Sequence, residues 1–315
     1  MYGNGSLCPA ALLFSEVYSL AEAQLLDGKV LARRLRRQIK EEVAAVVAAA
    51  GRPPGLAVVL AGADPASHIY VNKKEEALAE VGMRSFARRL PASVSREELL
   101  ATVIELNETP EVDGILVQLP LPDRQMEREV LETIRPDKDV DGFHPVNAGR
   151  LLAGLPGFIA CTPAGIIEML RDARVPLEGR HAVVVGRSNI VGKPVAILLL
   201  RENATVTLAH SRTRDLPEIC RTADILVAAV GKAQVIRGDY IKPGAAVVDV
   251  GMNRTEHGLV GDVEFAAASR VAGWITPVPG GVGPMTIAML LRNTLLGARW
   301  HLGLDAELGS PFVRS

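Results

Sequence analysis

Three side chains able to hold or move a proton fall on one face of a predicted helix. They are Ser67, Tyr70 and Lys74, three and four residues apart, which places them one turn above another. The helix follows the apolar stretch 56–60, which reads as a buried strand, and the loop 62–67 at its carboxyl end. Ligands of open α/β sheets gather at that edge. Position is what sets Lys74 apart, because Lys73, Glu75 and Glu76 read as a solvated, salt-paired helix face. A second strand, 112–117, ends in Gln118, and Pro120 and Pro122 stiffen the chain beyond it. An amide there either caps backbone or reads a polar heterocycle. Asp141, in the loop 136–145, either caps its turn or accepts paired hydrogen bonds from an amino-pyrimidine ring. The D-x-D-x-D-G opening of that loop resembles a calcium site. Its twelfth position is Ala148, where a bidentate Glu is required, so no metal is expected.

The second chemistry is anion binding. The β-branched run 181–185 leads into Gly186-Arg187-Ser188-Asn189-Ile190-Val191-Gly192, and the apolar run 195–200 follows. Strand, glycine turn and helix together aim free N–H groups at an anion. The G-x-G-x-x-G spelling is absent: Ser188 stands where the second glycine would be, and Gly192 comes late. The next strand, 204–209, ends in His210-Ser211-Arg212-Thr213-Arg214, where a diol-binding site would carry Asp or Glu. Hydroxyls and guanidinium groups suit a 2′-phosphate, so the expected cofactor is NADP. Two further strands end at Gly231 and Gly251, as expected where backbone passes close to a cofactor. The stiff segment 276–286, with Pro279, Gly280 and Gly281, can set backbone against both cofactor and substrate, and can also serve as a hinge.

These residues call for a two-domain α/β scaffold. At 315 residues the chain is long enough for two cores. Asp27-Gly28 opens a long helix over 30–50, stopped by the Gly- and Pro-rich 51–55. Ser95-x-x-Glu98 is a capping box for a helix to Leu106, and Thr162-Pro163 predicts an N-cap and a helix bridging into the second half. Lys+Arg 35 against Asp+Glu 36 argues against nucleic-acid or anionic-membrane partners. Three scattered cysteines make a reducing cytoplasm the default, and no apolar run approaches the ~20 residues of a membrane helix. Residues 1–24 read as a loosely ordered extension rather than a signal peptide. The Tyr70-x-x-x-Lys74 pair invites comparison with short-chain dehydrogenases. There the cofactor turn precedes the tyrosine; here it follows by more than a hundred residues, so the match is rejected.

Taken together, the segments resemble the bifunctional methylene-tetrahydrofolate dehydrogenase/cyclohydrolase family, called FolD in bacteria. The resemblance rests on Tyr70-Val71-Asn72-Lys73-Lys74, Val117-Gln118-Leu119-Pro120-Leu121-Pro122 and Lys138-Asp139-Val140-Asp141-Gly142-Phe143. It rests equally on the Gly186–Pro194 segment and on the very specific Thr276–Thr286 segment. It implies two α/β domains around a cleft, the second a Rossmann-like NADP-binding domain. The expected boundaries are 25–161 for a folate-binding domain completed by 292–315, and 162–291 for the NADP domain. It implies oxidation of 5,10-methylene-tetrahydrofolate by NADP and hydrolysis of the methenyl product to 10-formyl-tetrahydrofolate, in one-carbon metabolism that feeds purine biosynthesis. Lys74 would then be essential for hydrolysis, with Gln118 adjusting it, Tyr70 stacking on the folate, Asp141 anchoring the pterin and Ser67 supporting the helix. Arg187 and Ser211 would contact the 2′-phosphate, with Arg212 an extra basic candidate. A homodimer is implied. Two rivals are a different NADP enzyme on this architecture, which would need no folate anchor at Asp141, and a binder that turns nothing over.

Overall fold

The computed structural model describes residues 22–256 and 258–304. In chain order the first half contains β1 (Gln24–Leu25), α1 (Gly28–Ala50), β2 (Gly55–Ala61), α2 (Pro65–Val81), β3 (Arg84–Ser85) and β4 (Arg88–Leu90). It continues with α3 (Arg96–Glu108), β5 (Gly114–Val117), α4 (Glu127–Thr133) and α5 (Pro145–Ala153). The second half runs through α6 (Cys161–Asp172), β6 (His181–Val185), α7 (Gly192–Arg201), β7 (Thr205–Ala209), α8 (Leu216–Arg221), β8 (Ile225–Ala228) and β9 (Ala246–Asp249). A hairpin of β10 (Asn253–Thr255) and β11 (Gly258–Val260), then α9 (Phe265–Ala268), β12 (Trp274–Ile275) and α10 (Val282–His301), complete it.

Two sheets result. In the smaller, β2 pairs in parallel with β5 and with β3 and β4. All seven residues of β2 are buried, which its continuous apolar sequence anticipates. The larger sheet is parallel throughout, in the order β1-β12-β9-β8-β6-β7. From β6 the chain adds β7 on one side and β8 on the other, so strand order switches between β6 and β8 and a crevice opens at their carboxyl ends. One core cluster joins the facing sides of both sheets: Leu56 and Leu60 of β2, Ala182 and Val184 of β6 and Val248 of β9 share it with α1, α6 and α10. The outer faces carry separate cores.

Local signals explain most helix ends. Asp27 accepts from Lys29 N and Val30 N at 2.9 and 3.0 Å, Ser95 and Glu98 make both bonds of a capping box, and Gly51 ends α1 at φ 73°. Lys138, buried at 5% exposure, donates to Thr109 O and Leu106 O, the carbonyls that end α3.

Three expectations shift. Gln24-Leu25 is a strand of the larger sheet, paired with Trp274-Ile275, although the expected extension ran through residue 24 and the first domain from residue 25. A two-residue strand has no period to read. Residues 1–21 and 305–315 of the expected extension and tail lie outside the described residues. Helix α6 starts at Cys161 with Ala160 at its N-cap, because the Thr162 hydroxyl is spent on Thr286 of α10, 2.9 Å away. Helix α10 starts at Val282, four residues before the expected Thr286, since Pro284 falls in its first turn, where the missing N–H costs no intrahelical hydrogen bond.

Candidate active site

Helix α2 leaves the carboxyl end of β2 through Asp64, whose Oδ2 accepts from Ser67 N and Ser67 Oγ, both at 2.8 Å. Ser67 is thus buried at the helix start, supporting the face that carries Tyr70 and Lys74. One turn on, Lys74 Nζ donates to Gln118 Oε1 at 2.9 Å, and Gln118 Nε2 donates to Leu119 O at 2.6 Å. Those partners fix which way the amide faces. Gln118 therefore does both things its position allowed: it caps backbone with its nitrogen and holds the lysine with its oxygen.

Burial lowers the Lys74 pKa from its ordinary value, and the charge of Asp141 opposes that shift. Burial raises Asp141 likewise, with Lys74 and the Cys161 thiol opposing it. The two groups face each other in a partly dry wall, each favouring the charge of the other. Turn capping falls to a different acid. Asp139 accepts from Phe143 N, His144 N and Asn147 Nδ2 at 3.1, 2.8 and 2.8 Å, leaving Asp141 free of turn capping. The loop carrying Asp141 is held from behind. Cys161 Sγ donates to Val140 O at 3.3 Å, Asn293 Nδ2 of α10 donates to the same carbonyl at 2.8 Å, and a Cβ on Gly142 would lie 2.4 Å from Ala160 N.

Across the cleft lies the crevice of the larger sheet. Gly186 follows β6 at φ 136°, and a Cβ on it would sit 2.2 Å from Ala229 O. The turn folds back so tightly that a Cβ on Gly192 would lie 2.2 Å from Gly186 O. Ser188 Oγ accepts from Val191 N and Gly192 N at 3.1 and 3.3 Å, so the residue in place of the second glycine steadies the start of α7. Arg187 and Ile190 are exposed on this turn, and Ser211 and Arg212 are exposed beyond β7. Gly231 and Gly251 end their strands at the same edge.

The 276–286 segment closes the cleft. Lys29 N of α1 donates to Gly280 O at 3.1 Å, and a Cβ on Gly28 would lie 1.8 Å from Gly281 O, so the loop rests on bare backbone of the other half. Pro279, Gly280 and Gly281 line a cavity of about 350 Å³ together with Tyr70, Gly251 and Met252. Lys74, Gln118 and Asp141 lie outside its walls. Tyr70 thus sits between the cavity and the lysine cluster, its hydroxyl donating to Met252 Sδ at 3.2 Å. Met252, Cys161, Asp249 and Asp262 were not anticipated; only the strand-ending Asp-x-Gly at 249–251 marked the place.

A parallel sheet with a nucleotide-type crevice, facing a lysine, an amide and a carboxylate across a cleft, defines a two-domain dinucleotide-binding α/β enzyme. Two family models match the chain: the tetrahydrofolate dehydrogenase/cyclohydrolase catalytic domain over residues 26–141, and the NAD(P)-binding domain of the same family over 160–302. The chain belongs to the tetrahydrofolate dehydrogenase/cyclohydrolase family. It is 60% identical over 294 residues to the Bifunctional protein FolD 3 of Rhizorhabdus wittichii, covering 91% of this chain and 97% of that one. It is 58% identical over 278 residues to the Bifunctional protein FolD of Geobacillus thermodenitrificans, covering 88% and 98%. Among solved structures, the FolD methylenetetrahydrofolate dehydrogenase/cyclohydrolase of Campylobacter jejuni matches with TM-score 0.86 at 47% identity, covering 88% of this chain and 99% of that one. The Trypanosoma brucei FolD, complexed with NADP cofactor and inhibitor, matches with TM-score 0.86 at 42% identity, covering 91% and 100%.

Proposed function

We propose that this enzyme oxidises 5,10-methylene-tetrahydrofolate with NADP and hydrolyses the 5,10-methenyl product to 10-formyl-tetrahydrofolate. The observation that carries the reading is the Lys74–Gln118 hydrogen bond of 2.9 Å beside Asp141, at the sheet edge that faces the crevice. An identity of 60% to a bifunctional relative, over 91% of this chain and 97% of that one, supports it.

The crevice suits NADP. The glycine turn leaves no room for a Cβ where a pyrophosphate would approach; exposed Ser211 and Arg212 stand beyond β7, where a diol site would place an acid, and exposed Arg187 stands on the turn. NADP when bound accepts a hydride; the lone pair of the adjacent folate nitrogen drives that loss, so the protein need only align the two rings. Gly186, Ser188, Ile190, Gly192, Gly231 and Gly251 would cradle the nucleotide. Tyr70 would stack on the folate, and Pro279, Gly280 and Gly281 would border it. Asp141 would accept from the pterin.

Hydrolysis adds water to a cationic carbon and releases one proton, and a second proton transfer accompanies ring opening at nitrogen. An amine whose pKa is lowered by burial can take the first proton and return it. Gln118 keeps its lone pair aimed, and the cationic substrate would lower the pKa further. The catalytic unit is read as 25–161 with 292–315, the nucleotide unit as 162–291, the setting as cytoplasmic one-carbon metabolism serving purine biosynthesis, and the assembly as a homodimer.

The test is wild type and Lys74→Ala supplied with methylene-tetrahydrofolate and NADP. Wild type should form NADPH and 10-formyl product. The variant should still form NADPH while hydrolysis of added methenyl substrate falls about 10²–10⁴-fold, the usual worth of a proton-transfer group. Unchanged hydrolysis would return Lys74 to a structural role, and wild type without NADPH would remove the substrate assignment.

A further inference from the structure

Two buried carboxylates take no part in the chemistry above. Asp249 ends β9 at 3% exposure, and Asp262 follows β11 at 0%. Asp249 Oδ1 accepts from Gly251 N at 2.9 Å and Asp262 N at 2.8 Å, and its Oδ2 accepts from Val263 N at 2.9 Å. Asp262 Oδ2 accepts from Val230 N at 2.6 Å and Gly231 N at 2.8 Å, and its Oδ1 from Lys232 N at 3.0 Å and Asn253 Nδ2 at 2.9 Å. The carboxylates occupy space that only glycine leaves open: a Cβ on Gly251 would lie 2.2 Å from Asp262 Oδ1, and one on Gly261 1.8 Å from Asp249 Oδ2.

The donors belong to three pieces of one wall. They are the turn after β8, the turn after β9, and both legs of the β10–β11 hairpin. That hairpin reaches the opposite half of the molecule. Met252 at its base receives the Tyr70 hydroxyl, and the charge of Arg254 on β10 acts on both Tyr70 and Asp64, the N-cap of α2.

We propose that Asp249 and Asp262 are positioning residues for hydride transfer, pinning the two turns and the hairpin so that Tyr70 and the crevice keep one spacing across the cleft. Hydride transfer is sensitive to such spacing, since about 1 Å of misplacement costs on the order of 10²-fold in rate. Hydrolysis is not, because Lys74, Gln118 and Asp141 all stand on the first half. The inference rests on the proposed pair of activities.

Asp262→Asn tests it. An isosteric amide sets an NH₂ group against two N–H donors whichever way it turns, so part of the wall loses its acceptor. NADP-dependent oxidation should fall about 10–100-fold with a raised KM for NADP, while hydrolysis of added methenyl substrate stays within about twofold. Asn253→Ala removes a single donor from a half-buried position, leaves both carboxylates in place, and should lower oxidation several-fold in the same sense. Should Asp262→Asn fail to fold, Asn253→Ala decides. Parallel loss of both activities would make the pair scaffolding only, and unchanged oxidation in either folded variant would overturn the proposal. Failure of the activity reading is distinct, because wild type itself would then lack NADPH formation or hydrolysis.

Discussion

Among the buried and half-buried acids, charge state divides along whether a guanidinium stands against the carboxylate, since Asp113 at 0% exposure is as buried as Asp139 and Asp249. Burial pushes Asp139 up to about 7 and Asp249 up to about 6 against N–H donors that pull the other way, and it raises Asp141 against the Lys74 charge and the Cys161 thiol. Asp113, which takes both guanidinium nitrogens of Arg52 at 2.7 and 2.8 Å, and Asp137 beside Arg135 are held below the usual range. The two groups act oppositely on stability. An unfolded Asp titrates near 3.9. Between that value and about 7 the folded chain keeps a proton on Asp139 that the unfolded chain has released, so stability falls as pH rises through this window. Below about 3.9 the lowered acids reverse the trend, and stability is lost as they protonate. Urea midpoints between pH 4.5 and 8 should therefore decline for wild type. Asp139→Asn should flatten the decline above about pH 6, leaving the part that Asp249 supplies below it. A variant curve parallel to wild type would remove Asp139 as the source.

At the scale of elements, β7 is the exposed edge of the larger sheet, paired on one side with β6 alone among the described residues. Leu208 on it is 44% exposed and Leu200, at the end of α7, 58%. An open parallel edge flanked by apolar side chains invites another strand, and a second copy offers the same edge by two-fold symmetry. Sedimentation should give a mass of two chains for wild type and one for Leu208→Lys, a charge of the kind that blunts edges; a wild-type monomer or a dimeric variant would refute this interface. Elements of this kind show what the sequence could carry. The buried strands β2 and β6, the Ser95–Glu98 capping box and the placement of Lys74 and Gln118 at strand ends were legible, because each depends on a local run or position, whereas their union with Asp141 in one site came from the family resemblance. The strand β1, the use of Thr162 on Thr286, and the Asp249–Asp262 wall were not. Each is settled by a partner dozens of residues away or by a contact between turns, which no periodicity records.

For the molecule as a whole, the two sheets do not hold separate cores on their facing sides. Leu56 and Leu60 of β2 and Val184 and Val248 of the larger sheet belong to one cluster with α1, α6 and α10. Helix α10 is tied into the first half by Asn293, which donates to Val140 O and Ile159 O at 2.8 and 3.0 Å, and by Gly297, where a Cβ would stand 2.8 Å from Asp113 O. Opening either half would expose apolar surface of the other, so the halves should unfold together even though the crevice proposed for NADP lies in only one of them. A ligand that binds the folded chain alone stabilises it by RT ln(1 + [L]/Kd), about 2.7 kcal/mol at a hundredfold excess over Kd. At roughly 2 °C per kcal/mol for a chain this large, that amounts to about 5 °C in Tm. Calorimetry should therefore show one transition that moves by about this much with NADP, with hydrolysis of added methenyl substrate by the Lys74 cluster protected over the same interval. Two transitions, of which only one moved with NADP, would mean that the shared cluster does not couple the halves, and hydrolysis would then survive or fail independently of the nucleotide.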